Sequence, residues 1–192
     1  MKAGNVAVWL LAWLALLPGM AVARETVVAP GTVALSGGSA QALFSPWDDI
    51  EGAIVARLRA AQRQVLVQAF SFTSRPIARA LIEAKRRGLD VRVTADAAET
   101  QRLEGGRIPE LAAAGIPVFI EERYQSAHNK VMVIDADLPS GTVITGSYNW
   151  SFAAQRRNAE NVLIMRDQAA LAARYRMNWE RHQADAKPYS MR

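Results

Sequence analysis

The sequence predicts a layered α/β/α sandwich built around one mixed, largely parallel central sheet. Strand-like apolar runs alternate three times with helix-patterned segments between residues 41 and 114, and such alternation builds parallel βαβ units. Two short β-branched runs, 131–134 and 142–144, then follow across a turn-rich interval and read as a hairpin. A last apolar run, 161–165, leads into a helical stretch over about 168–183.

The elements follow in order. Residues 1–23 carry Lys2, an apolar run over 6–17, the breaker Pro18-Gly19 and the cleavage-like Ala21-Val22-Ala23, as expected of a secretory signal, with a retained anchor as the alternative. The apolar run is shorter than the roughly 20 residues a membrane span needs. Without those 23 residues, 169 of the 192 remain, enough for one domain with a sizeable core. Residues 24–40, broken by Pro30-Gly31 and Gly37-Gly38, read as an irregular lead-in to a single domain over 41–192.

A strand over 41–44 enters Ser45-Pro46, which has helix-start chemistry. Ile50, Ile54, Val55 and Leu58 then recur at helical spacing, and Trp47 is expected to pack at the helix base. Residues 65–70 read as a buried strand. Ser74-Arg75-Pro76 opens a second helix that Gly88 closes, its last-turn Lys85-Arg86-Arg87 complementing the helix dipole. Residues 89–93 form the next strand, 108–114 a short helix with Gly115 as its cap, and 116–120 another strand. Phe70, Phe72 and Phe119 read as core, His182 as solvent-exposed, and Trp150-Ser151-Phe152 as core packing with base stacking the alternative.

Composition narrows the chemistry. The absence of cysteine excludes a thiol nucleophile and a thiolate metal site. With His128 and His182 the only histidines, a His-rich metal site is excluded as well. No acidic loop has the spacing of a calcium or magnesium site. The net charge of +5, or +4 without Lys2, modestly favours a polyanionic partner such as nucleic acid or anionic lipid.

The reactive residues cluster in one stretch. His128 and Lys130 stand two apart ahead of Val131-Met132-Val133-Ile134, so on a strand they share a face. An imidazole beside an ammonium suits phosphoryl chemistry: the ring attacks phosphorus while the cation neutralises the phosphate oxygens. Asp135, five residues after Lys130, falls on the opposite face and is expected to brace the turn or backbone.

His128-x-Lys130 with Asp135, then Gly146-Ser147-Tyr148-Asn149 and Glu160, resembles the signature of the phospholipase D superfamily. The ten residues between Asp135 and Gly146 exceed the six usual there, a departure confined to a surface turn. The resemblance implies a metal-independent phosphodiesterase, without cofactor, working through a phosphohistidine at His128. It implies that Lys130 and Asn149, assisted by Ser147, bind the non-bridging oxygens, that Glu160 accepts a hydrogen bond from the far nitrogen of His128, and that Asp135 and Gly146 are structural support. No second His-x-Lys motif and no internal repeat occur. Single-motif members usually dimerise, so the resemblance implies a homodimer joining two His128 side chains. A small exported member looks most like the bacterial nucleases of the superfamily, with DNA as substrate. The alternatives are a phosphodiesterase of phospholipid headgroups, which calls for an apolar rim that the sequence does not display, and a non-catalytic DNA- or phosphate-binding module.

Overall fold

Side-chain caps start four of the six helices among the described residues, and tertiary pairing sets the strands. The structure, a computed structural model, describes residues 32–35 and 37–190; the expected leader lies outside them. β1 (Ser39–Ser45) is longer than expected, taking in the end of the lead-in. The following helix, α1 (Ile50–Ala60), starts later than Ser45-Pro46 suggests, because Asp49 is its cap and accepts the Gly52 N–H at 2.9 Å. Ser45 is still paired in β1, opposite Glu160. Its hydroxyl donates to Asn158 O and accepts from Glu160 N, both at 3.2 Å. Trp47, expected to be packed, is 81 % exposed on the intervening turn.

β2 (Gln64–Ala69) is followed by α2 (Arg75–Arg86), capped by the Ser74 hydroxyl with Pro76 in the first turn. β3 (Asp90–Asp96) runs into α3 (Ala97–Arg102), a short helix the sequence did not suggest, capped by Asp96. α4 (Ile108–Ala113) and β4 (Val118–Glu121) complete the alternating half. β5 (Lys130–Ile134), β6 (Thr142–Gly146), α5 (Phe152–Arg156), β7 (Glu160–Arg166), α6 (Ala169–Asp185) and the two-residue β8 (Lys187–Pro188) follow.

The eight strands form one sheet in the order β1-β7-β6-β5-β2-β3-β4-β8. The layered, mixed α/β architecture is present, but the sheet is not largely parallel. Among the described residues, only β2·β3 and β3·β4 are parallel strand pairings; the other five are antiparallel. The strand–helix alternation does yield a parallel trio. β1, however, leaves the alternation to pair with β7, and β5 returns beside β2. Hydrophobic period reveals a strand, not the neighbour it will find.

One layer sets Ile50, Ile54 and Leu58 of α1, Ile77 and Leu81 of α2 and Leu111 of α4 against Val65, Val67, Val93, Met132 and Ile144. The other packs Ala172 and Trp179 of α6 on Leu66, Val131, Val133 and Val143. Trp179 Nε1 donates to Val67 O at 2.9 Å, so this buried indole brings a satisfied polar tip into the core. The registers Ser45↔Glu160, Gly146↔Val162, Ala69↔Lys130 and Asp96↔Glu121 align the ends of seven strands along one edge of the sheet. Of the longer interval 136–145, the last four residues belong to β6, and the turn before them lies at the opposite edge, where Gln168 N donates to Gly141 O at 2.9 Å.

Candidate active site

Lys130 opens β5 and pairs with Ala69, the last residue of β2. His128 precedes the strand rather than lying in it, yet the two side chains meet: Lys130 Nζ is 2.8 Å from His128 Nδ1 and 2.7 Å from His128 O. His128 is exposed, whereas Lys130 is buried at 5 % exposure. Burial lowers the Lys130 ammonium from its ordinary 10.5 to about 8, opposed by the negative charges of Glu160, Asp96 and Glu99. An ammonium donating to Nδ1 leaves the ring proton of the neutral imidazole on Nε2.

Phe70, which the sequence placed in the core, is half-buried beside this pair. Its ring centroid lies 4.3 Å from that of His128, and Lys130 Nζ sits 4.6 Å from the same centroid. The Lys130 ammonium and the His128 ring therefore rest against one aromatic ring, the ammonium favoured there by the ring quadrupole. Nothing in the apolar run ending at Phe70 separates it from core phenylalanines; its place at the end of β2 does.

The segment leading to His128 is fastened at several points. Asp96 caps α3 through Glu99 N and accepts the Ala127 N–H, each at 2.8 Å. His182 Nδ1 lies 2.7 Å from Glu121 Oε2, the Glu121 side chain being 3 % exposed. Arg123 pairs with Asp185 and Lys187 with Glu122. His182, expected in solvent, is thus a partner to a buried carboxylate, a contact helical periodicity does not disclose.

The second half of the motif arrives on β6. A Cβ on Gly146 would run into Asn161 O and lie 3.0 Å from Val162 Cα, so β6 and β7 approach closely here only because position 146 has no side chain. The Ser147 hydroxyl accepts from Asn161 N at 3.0 Å and Asn161 Nδ2 at 3.3 Å. Asn149 Oδ1 is buried without a protein partner. The next residue, Trp150, is fully buried and donates Nε1 to Gln68 O at 3.0 Å, while Phe152 is 57 % exposed. The Tyr148 hydroxyl meets Gln155 Oε1 at 3.3 Å. Burial foremost, then Glu51, pushes its ionisation above the ordinary tyrosine range, so it stays neutral.

Glu160 differs from its expected role. Its Oε1 accepts from Asn158 Nδ2 at 2.9 Å, and no hydrogen bond joins it to His128, whose Nδ1 faces Lys130. Its charge instead supports the Lys130 ammonium. Asp135 points away from His128, at the far end of β5. Its carboxylate accepts Gln62 N at 2.8 Å, Arg63 N at 2.7 Å and Gln64 N at 2.9 Å. Among the described residues, no three His, Asp or Glu side chains are placed to hold a metal ion.

Residues 54–182 match the family model described as "Cardiolipin synthase, PLD-like domain". The chain belongs to the phospholipase D superfamily. It is 38 % identical over 136 residues to a phospholipase D of Rickettsia typhi, covering 71 % of this chain and 64 % of that protein. A mitochondrial cardiolipin hydrolase of Xenopus laevis is 34 % identical over 128 residues, covering 67 % of this chain and 58 % of that one. Among solved structures, the phospholipase D family member Nuc of Salmonella typhimurium superposes with a TM-score of 0.73 at 28 % identity, over 81 % of this chain and all of Nuc. The chain thus spans less than two thirds of the length of either of these curated relatives, and its motif places His128, Lys130, Asn149 and Glu160 at one sheet edge with Asp135 at the other.

Proposed function

We propose that the chain is an exported, metal-independent DNA endonuclease working as a homodimer through a phosphohistidine at His128. The observation that carries the reading is the Lys130 ammonium poised 2.8 Å from the Nδ1 of an exposed imidazole; Asn149, whose buried Oδ1 has no protein partner, follows β6 at the same sheet edge. A bound phosphodiester draws Lys130 from Nδ1 to its non-bridging oxygens. The ring proton then moves from Nε2 to Nδ1, and Nε2 attacks phosphorus. His128 of the second copy, protonated, donates to the departing oxygen, then serves as base when water cleaves the phosphohistidine. Lys130 and Asn149 stabilise the charge that develops on the phosphoryl oxygens. The single motif per chain supports two copies per site. The positive charge and the likeness to Nuc over 81 % of this chain support a nucleic-acid substrate.

A phospholipid substrate is the second reading, supported by the names of the curated relatives and by an apolar rim the sequence did not reveal. Phe44 (50 % exposed), Trp47 and Phe152 all stand at the sheet edge that carries His128. The deciding experiment incubates the protein with plasmid DNA, and separately with labelled phosphatidylcholine vesicles, in EDTA. Nicking that persists in chelator and falls on the order of 10³-fold in His128→Ala supports the nuclease. Headgroup release without nicking favours the lipid reading, and binding without turnover a non-catalytic module. Light scattering on the eluted protein checks the dimer, and an active monomer would overturn the two-histidine scheme.

A further inference from the structure

The aromatic ring behind His128 also walls a separate cleft. Between the ends of β2 and β3 and the α3–α4 connection lies a cleft of about 150 Å³, lined by Phe70, Phe72, Ala95, Thr100, Leu103 and Ile108 among others. Of its lining, Phe72, Ala95 and Ile108 are buried, Thr100 is half-buried and Gly105 is exposed. The connection folds over it through Gly106 N to Leu103 O at 3.2 Å and Arg107 N to Phe72 O at 2.9 Å. Nothing in the mechanism uses this space, yet Phe70, one of its lining residues, has its ring centroid 4.3 Å from that of His128.

We infer that this cleft is a subsite for a nucleobase belonging to a nucleotide next to the scissile phosphate. The inference rests on the nucleic-acid reading above and deepens it. The walls are aromatic and apolar, which suits a flat π-surface, and stacking of that kind tolerates any base. The space suits one planar group; an extended acyl chain would outrun it. A base seated against Phe70 brings its own phosphate to the ring that already positions His128 and Lys130, so binding on one side of Phe70 orients the reacting group on the other.

The test needs an internal comparison. An oligothymidylate strand carrying a short abasic run is cut by the protein in EDTA, and cleavage inside the run is compared with cleavage at intact thymidines of the same molecule. Wild type should cut about tenfold less inside the run, the worth of one stacked base. Thr100→Phe fills the cleft from its rim without touching His128, Lys130 or Asn149, and should bring the ratio close to one by slowing cleavage at thymidines. Leu103→Trp, filling it from another wall, should do the same if Thr100→Phe folds poorly. Equal cutting by wild type inside and outside the run overturns the subsite while leaving the nuclease intact. A strand left uncut alongside headgroup release from vesicles overturns the nuclease reading, and the subsite with it.

Discussion

Asp135 offers the sharpest separation of structure from chemistry, because it belongs to the motif yet faces away from His128. Its carboxylate holds three consecutive backbone N–H groups, Gln62, Arg63 and Gln64, and so fixes the entry to β2, which pairs with β5. Each hydrogen bond to a charged acceptor is worth about 1.5–3 kcal/mol, though three on one carboxylate do not add fully. Asp135→Asn can still accept at Oδ1, but it turns an N–H₂ towards a backbone donor; we expect a loss of about 2 kcal/mol. Asp135→Ala loses all three bonds and places alanine at φ 53°, where Asp and Asn are better tolerated. About 4 kcal/mol should follow, lowering the melting temperature by roughly 8–16 °C for a chain of this size. Circular-dichroism melts paired with kcat at a temperature where each variant is folded measure both effects. Turnover should stay within a few-fold of wild type. A melting temperature unchanged in Asp135→Asn together with abolished turnover would refute a bracing role and put Asp135 in the chemistry.

Lys130 and His182 give further outcomes. Since burial holds Lys130 at about 8 against 10.5, the unfolded chain binds this proton more tightly, so the Lys130 contribution makes stability rise with pH between about 8 and 10.5. Activity should run the other way, kcat/KM falling above pH about 8 as the ammonium is lost; Lys130→Arg should move that descending limb beyond the measurable range, and an unmoved limb would assign it to another group. His182→Ala leaves the Glu121 carboxylate buried without its partner, and should cost about 1–3 kcal/mol in chemical denaturation. Glu121→Leu in the same chain should recover part of that loss, and no recovery would locate the cost in helix packing instead.

Much of the site was legible because its residues lie close along the chain and their chemistry is local. His128 and Lys130 stand two apart, and Asp135 follows Lys130 by an odd interval that sends it to the other face. The departures have one physical cause. Ser45 reads as a cap until β7 pairs with it, Trp47 reads as packed until no element covers it, and His182 reads as exposed until Glu121 arrives beneath α6. Phe70 is the clearest case, since an apolar residue ending an apolar run carries no mark of standing beside the motif's imidazole.

The sequence alone therefore determined most of the elements and the motif, since helix caps, periodicity and motif spacing are properties of neighbouring residues. The tertiary structure alone decided which strands pair, which makes the sheet mostly antiparallel, and which groups touch: Glu160 turned to Asn158, Asp135 on three backbone donors, and Phe70 shared between His128 and a cleft. Contacts between residues distant along the chain depend on how the sheet closes, and no local pattern encodes that order.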